Sequence, residues 1–212
     1  MEKITKDTID LIYASVTELF PAAHCELNYD SDFHLLIAIM LSAQTTDASV
    51  NRVTPALFER YQSADDLANS ELTEIEEKIK YLGLYKTKAK NLKAMATKII
   101  LEYGGDIPST QDELESLPGV GRKTANVFLS EWHKIPRIAV DTHVKRVSER
   151  LGLSLENDSP VQVEKKLMES FPKHQWIEMH HKLIFFGRYF CKAKKPECKK
   201  CPLISICKKP II

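Results

Sequence analysis

The chain has 212 residues, of which 43% are hydrophobic and 28% charged, which favours one compact protein of one or two small domains. No run of about eighteen uncharged apolar residues occurs, and this excludes a membrane-spanning helix. The first residues, Met1 to Lys6, lack the apolar segment of a secretory signal. We therefore expect a cytoplasmic protein with no membrane partner.

The net charge of +1 conceals an uneven distribution. From Lys182 onward there are nine Lys and Arg residues against one acid, Glu197, a local charge of +8. A positive surface on a nearly neutral protein favours an oriented contact with a polyanion. The alternative is a solvated lysine tail with no partner.

Apolar residues recur with helical spacing along nearly the whole chain, and the alternation typical of strands is nearly absent. The first predicted helix follows a start signal at Thr5 or Asp7. Its apolar stripe comprises Ile9, Ile12, Val16 and Phe20. A second apolar face comprises Phe33, Leu36, Ile37, Met40 and Leu41.

The later helices are marked by their ends. A helix over 88–103 ends at two glycines, Gly104 and Gly105. Thr110 and Glu113 have the spacing of a capping box, at the start of a short helix that ends at Leu117-Pro118-Gly119. Ser159-Pro160 begins a helix over 161–170. The sequence thus predicts about ten short helices and an all-α fold.

Four of the five cysteines lie in the last 22 residues, with the spacing C-x6-C-x2-C-x5-C. They are Cys191, Cys198, Cys201 and Cys207. Such a cluster in a chain without a signal favours a metal site over disulfides, and four thiolates can hold zinc or a [4Fe–4S] cluster. Zinc sites more often pair two C-x2-C turns, and only one is present here, so the spacing favours iron–sulfur and leaves zinc open. The loop over 192–197 is basic and tied at both ends, which suits Lys194 and Lys195 to phosphate contacts.

The most informative segment runs from Leu117 to Ala125. Two glycines, Gly119 and Gly121, predict a tight turn between helices that exposes backbone N–H groups at the positive end of the next helix. Such an anion site suits a DNA phosphate, although any tight turn between two helices can use these residues. We expect the following helix to bury a stripe of Ala125, Phe128, Leu129 and Trp132 and to hold Lys123 on another face with Asn126, Val127, Ser130 and Lys134. Without other evidence, Lys123 is an ordinary surface lysine.

An all-α chain with this hairpin and this cysteine spacing closely resembles the endonuclease III family of helix–hairpin–helix DNA glycosylases. The resemblance runs from about Ile9 to Cys207 and is strongest at 41–47, 117–125, 140–143 and the four cysteines. It implies two domains: a six-helix bundle over 25–135 that contains the hairpin, and a discontinuous cluster domain made of 1–24 and 136–212. It also implies that the cysteines hold a [4Fe–4S] cluster with a structural or DNA-sensing role.

The resemblance implies a bifunctional DNA glycosylase and AP lyase of base excision repair that removes oxidised pyrimidines and cleaves the strand 3′ to the abasic site. Lys123 matches the family's nucleophile, which forms a Schiff base with the sugar, and Asp141 matches its catalytic aspartate. Asp141 also precedes a predicted helix, where it would act as an N-cap. The two roles are compatible.

Other positions are expected to contact double-stranded DNA that contains damaged pyrimidines or abasic sites. A base that is extruded from the duplex leaves a gap, and the resemblance implies that the side chains of Gln44 and Leu84 fill it. The alternatives are a helix-capping amide for Gln44 and a core leucine for Leu84. Further expected contacts are Gly119, Val120, Gly121, Arg122, His143, Lys194 and Lys195, and two additional candidate cleft acids are Glu115 and Asp47. Asp47 is expected to cap a helix or form hydrogen bonds, and the protein is expected to act as a monomer.

Three rival interpretations remain. The first is an adenine-excising member of the same superfamily, and Lys123 argues against it because those relatives lack a lysine at this position. A helix–hairpin–helix module that only binds DNA is disfavoured by Lys123 and Asp141 together. A zinc-ribbon interaction protein is the third, and a metal analysis would identify it.

Overall fold

A computed structural model describes residues 4–211, and within that range it contains helices and no strand. The all-α prediction is confirmed. The α-helices are α1 Lys6–Leu19, α2 Asp32–Leu41, α3 Asp47–Arg60, α4 Ala64–Ala68, α5 Leu72–Ile79, α6 Tyr85–Tyr103, α7 Gln111–Ser116, α8 Arg122–Glu131, α9 Thr142–Arg150, α10 Pro160–Ser170 and α11 Trp176–Phe185. A π-helical turn over Phe186–Phe190 follows α11, and single 3-10 turns lie at Lys173–Gln175, Cys198–Lys200 and Ile204–Ile206.

The chain separates into two compact units. The central unit comprises Glu26–Ile135, and the terminal unit combines the residues up to Cys25 with those from Pro136 onward. In the central unit, α2 is buried from Phe33 to Leu41, as expected for a helix that is apolar on every side. It contacts α3, α6 and α8. Packing on this helix positions the segments that carry the central unit's candidate residues.

Helix α8 differs from its predicted arrangement. Asn126, Val127 and Ser130 were expected on an outer face, but all three are buried together with the apolar stripe. Trp132, expected in the buried stripe, is the C-cap residue and is 39% exposed. The single-stripe prediction was wrong because neighbouring elements enclose α8 on more than one side.

The terminal unit has a core built by helices from both ends of the chain. Its members include Ile12 and Val16 of α1, Val144 and Val147 of α9, Leu167 of α10, and Met179 and Leu183 of α11. Thr5 is the N-cap of α1, and its hydroxyl accepts from the Thr8 N–H. Ser159 forms a complete capping box at the start of α10, as its sequence context indicates.

A buried lysine fastens α1 to α11 in this unit. The Lys182 ammonium is 1% exposed and lies against the Glu178 carboxylate, one turn earlier on α11. It also donates to Thr17 Oγ1 of α1 at 2.7 Å, and the Tyr13 hydroxyl donates to Glu178 Oε2 at 3.0 Å. The first helix is therefore held to the last by polar contacts in addition to the apolar core.

Candidate active site

The turn between α7 and α8 is built on two buried side chains. Leu117 and Val120 are 2% and 5% exposed, and the Val120 N–H donates to the Leu117 carbonyl at 3.0 Å. Gly119 between them has a φ of +80°, a left-handed conformation that favours glycine. The two apolar anchors turn the intervening backbone outward, with Gly119 and Gly121 exposed.

Helix α8 begins at this turn, and its first backbone N–H groups donate no hydrogen bond to a capping side chain. The N-cap is Gly121, which has no side chain to accept from them. These backbone donors and the positive end of the helix together form an arrangement that can bind a phosphate. Lys123 lies in this first turn and is exposed. Its backbone is therefore fixed by the hairpin while its side chain is accessible to a ligand.

Glu115, a candidate cleft acid, lies on the outer surface of α7. Its carboxylate is 3.9 Å from the Arg122 guanidinium and accepts from the Gln111 amide. The structure thus brings Glu115 and Arg122 together across the turn.

Asp141 is the N-cap of α9, as its sequence context indicates. Its Oδ1 accepts from the Val144 N–H at 2.8 Å, and the residue is half-buried. The carboxylate is therefore held in a defined orientation by the helix it caps. His143, two residues later, is half-buried, and its Nδ1 is 3.3 Å from an Arg146 Nη atom.

Gln44 and Leu84 share an unusual backbone. Both are non-glycine residues in the left-handed region, with φ values of 53° and 58°. Leu84 is 59% exposed, so the core-leucine alternative is wrong. The helix that follows Gln44 is capped by Thr46, whose hydroxyl accepts from the Ser49 N–H, so neither Gln44 nor Asp47 is the cap. Asp47 is instead the first residue of α3.

The cysteine segment is attached to α9 by two arginines that the sequence patterns did not single out. Arg146 donates to the carbonyls of Gly187 and Cys191 at 2.6 and 3.2 Å. Arg150 donates to Cys191 Sγ at 3.3 Å and to the Lys192 carbonyl at 2.8 Å. Their spacing of four residues places both on one face of α9, and this was the signal available in the sequence.

The four candidate ligand cysteines are all half-buried and none forms a disulfide. Cys191 is the C-cap of the π-helical turn, and its N–H donates to the Phe186 carbonyl, so the first ligand is held at the end of this turn. Burial raises the pKa of the Cys201 thiol, and the charges of Cys191, Cys207 and Cys198 raise it further. The other three thiols therefore lie near enough to Cys201 to interact with it electrostatically.

No group of three His, Cys, Asp or Glu side chains between residues 4 and 211 is arranged to hold a single metal ion. The basic loop between the first two cysteines is exposed at Lys194 and Lys195, and Lys195 has a φ of 52°. The loop is closed at its base by the Glu197 N–H, which donates to the Phe190 carbonyl at 3.2 Å. Lys194 and Lys195 are thus exposed to solvent on a loop whose base is closed by a backbone hydrogen bond.

Comparison with known proteins gives consistent results. Residues 37–173 match the model of the HhH-GPD superfamily of base excision DNA repair proteins. Endonuclease III of Bacillus subtilis is 50% identical over 94% of this chain and 91% of its own length, and that of Synechocystis is 46% identical over 90% and 87%. A solved structure of a trapped covalent intermediate between endonuclease III and DNA has a TM-score of 0.95 and 49% identity, over 97% of both chains. In the part of the chain that the structure describes, no helix is long and apolar enough to cross a membrane.

Proposed function

This chain belongs to the endonuclease III family of HhH-GPD base excision DNA repair proteins and is a DNA glycosylase with AP lyase activity, and we propose that it removes oxidised pyrimidines from duplex DNA through a Schiff base on Lys123. The observation that carries this proposal is the placement of Lys123. It is exposed in the first turn of α8, directly after a hairpin that presents uncapped backbone N–H groups. A phosphate bound there would bring a neighbouring sugar within reach of the amine.

The proposed chemistry at Lys123 has four steps. The uncharged Nζ attacks C1′ of the damaged nucleotide, and the bond from C1′ to the base breaks as the base leaves with the electron pair. The amine gives one proton to the departing base. The sugar ring then opens, the second amine proton passes to the ring oxygen O4′, and an imine between Nζ and C1′ remains. The imine acidifies the C2′ proton, and loss of that proton expels the 3′ phosphate by β-elimination. Hydrolysis of the imine then regenerates the amine.

Asp141 is proposed to stabilise the positive charge that develops on the sugar while the base departs. The hydrogen bond from the Val144 N–H supports this role because it fixes the carboxylate before the substrate binds. The same orientation of the Asp141 carboxylate would therefore serve both to cap α9 and to stabilise the sugar. Glu115 and Asp47 are assigned no bond-breaking step.

The remaining expected residues are proposed to bind undamaged parts of the duplex, with the protein acting as a monomer. The backbone of Gly119, Val120, Gly121 and Arg122 would hold a phosphate, and Lys194, Lys195 and His143 would contact others. Gln44 and Leu84 would fill the space left by the extruded nucleotide. Their exposure is the property that such insertion requires.

Cys191, Cys198, Cys201 and Cys207 are proposed to hold a [4Fe–4S] cluster. The electrostatic effect of the other three thiols on Cys201 and the Arg150 hydrogen bond to Cys191 Sγ support this assignment. A four-iron cluster is larger than one ion, so its ligands need not approach one another as closely as those of zinc. When bound, the cluster supplies a structural cross-link and a redox-active group, while Arg146 and Arg150 orient its first ligand.

Trapping with borohydride tests the proposal directly. Reduction of the imine should join the protein covalently to a duplex containing thymine glycol or an abasic site, and peptide mapping should place the adduct on Lys123. Lys123→Gln should abolish trapping and strand cleavage and retain DNA binding through the hairpin backbone. Lys90→Gln, at an exposed lysine of α6, is the matched control and should trap normally.

Two results would overturn the assignment. One is a Lys123→Gln variant that still traps at the wild-type level. The other is a wild-type protein that binds damaged duplexes and never traps, which would indicate a DNA-binding module without catalytic activity.

A further inference from the structure

Lys88 is a buried lysine that the proposed chemistry leaves unused. It lies in the first turn of α6 and is 7% exposed. Burial lowers the pKa of its ammonium, since the charged form loses its hydration. An apolar residue of similar length would avoid that cost, so the role of Lys88 must lie in the contacts of its ammonium group.

The Lys88 ammonium joins the two ends of the segment that contains Gln44. Nζ donates to the carbonyl of Leu41 at 2.9 Å and to Oγ1 of Thr45 at 2.6 Å. Leu41 is the last residue of α2, whose carbonyl end carries partial negative charge and favours a cation. Between these two anchors, Gln44 is held exposed in the left-handed conformation.

The backbone of the same residue holds Leu84. The Lys88 N–H donates to the Leu84 carbonyl at 3.0 Å and closes the first turn of α6. Leu84 begins this turn in the left-handed conformation, without a side-chain cap. One residue therefore contacts, by its side chain and by its backbone, the two segments whose exposed residues are strained.

We propose that Lys88 is a positioning residue that fixes the Gln44 segment relative to Leu84, so that both side chains enter the duplex together. This inference rests on the proposed role of Gln44 and Leu84 as fillers. Strained backbone persists where the surroundings hold it, and it serves pre-organisation at functional sites. A segment held before DNA binds loses less entropy on insertion than a free loop.

Lys88→Met tests the inference because it retains the length of the side chain and removes the ammonium. We expect a thermal midpoint close to wild type and a loss of about ten- to a hundredfold in single-turnover excision from a fully paired duplex. The loss should be about threefold or less when the damaged base is already unpaired, opposite an abasic analogue, because filling then matters less. A merely structural role would reduce excision equally on both substrates.

Lys93→Met is the matched control. Lys93 lies on the same helix, and its Nζ donates to the Ser70 carbonyl at 2.6 Å, away from both fillers. Its substitution should leave the ratio of paired to unpaired excision unchanged. A similar change in that ratio for both variants would overturn the proposal.

A double-mutant cycle separates this inference from the filler proposal. If Lys88 acts through the fillers, Lys88→Met should cost nothing further in a Gln44→Ala, Leu84→Ala background. An additive loss would contradict the positioning role. If the Gln44→Ala, Leu84→Ala protein itself excises normally from paired duplexes, the filler proposal fails, and the role of Lys88 fails with it. If that protein is slow and Lys88→Met is not, only the role of Lys88 fails.

Discussion

A Cβ atom added to Gly119 would lie 2.8 Å from the Cβ of Asn91 and 2.9 Å from the terminal methyl of Met40. The hairpin glycine therefore rests directly on α6, with no space for a side chain. Because Asn91 Cβ is attached to the helix backbone, it cannot move aside as the end of a flexible side chain can. The left-handed φ of Gly119 adds a second constraint at the same position.

Gly119→Ala is expected to lower the free energy of unfolding by about 2–4 kcal/mol, through the clash and the strained φ together. Gly121→Ala is the matched control, since nothing lies within 4 Å of an added Cβ and its φ of −102° suits any residue. It should cost about 0.5 kcal/mol as a poorer N-cap and weaken DNA binding by obstructing the phosphate. Urea denaturation and a duplex titration check both, and equal destabilisation by the two variants would contradict this account.

Replacing Lys194 and Lys195 with Ala should make DNA binding less dependent on salt. The slope of log K against log salt should fall by up to about 0.9 for each phosphate that the loop no longer neutralises. The change should be similar on damaged and undamaged duplexes, because phosphates carry no sequence information. Ala substitutions at Lys165 and Lys173, two exposed lysines of the same unit, serve as the control. An unchanged slope would mean that the basic loop does not bind DNA.

Asp141→Asn should slow base release by about 10²- to 10³-fold while changing DNA affinity much less. Asn is as good an N-cap as Asp, so folding should be preserved. Asp141→Ala removes the cap as well and should cost about 1 kcal/mol of stability in addition. Single-turnover excision, equilibrium binding and denaturation distinguish the two variants. If Asp141→Asn released bases at the wild-type rate, the negative charge of Asp141 would have no role in the mechanism.

The contact between Glu178 and Lys182 should make stability depend on pH in the acidic range. Burial alone would raise the pKa of Glu178, but hydrogen bonds from Lys182 and Tyr13 outweigh burial and lower it. A carboxyl with a lowered folded pKa stabilises the protein above its unfolded pKa of about 4.3, and this contribution is lost as the pH falls through the folded value.

Glu178→Gln should therefore destabilise the protein by about 1–3 kcal/mol near pH 7, since it leaves the buried ammonium of Lys182 without its charged partner. Denaturation at several pH values should show the difference from wild type shrinking below about pH 4. A difference that is constant down to about pH 3 would assign the effect to packing instead of charge.

The purified protein should contain about four irons per chain, little zinc and a brown colour. Cys198→Ser should lower the iron content and loosen the terminal unit, because the loop over 192–197 loses one of its two fixed ends. Cys25→Ser, outside the cluster, is the control and should retain iron. One zinc ion per chain in the native protein, without visible absorption, would contradict the proposal of a [4Fe–4S] cluster.

The sequence by itself determined the local features of this protein. Thr110 and Ser159 are predicted as N-caps because capping depends on residues three positions apart, and the structure confirms both. Asp141 was predicted as a cap for the same reason. For the first helix the sequence leaves Thr5 and Asp7 as alternatives, and the structure shows that Thr5 is the cap. The hairpin and the cysteine spacing are also contiguous in the chain, and they were sufficient to indicate the family.

Only the tertiary structure decided which side chains are buried and which backbone is strained. Helix periodicity reveals one apolar face, so it could not predict that α8 also buries Asn126 and Ser130. The lysine that holds the Gln44 segment lies more than forty residues away along the chain, in contact with the end of another helix. Such contacts depend on how helices that are distant in sequence pack together, and local patterns of residues do not predict that packing.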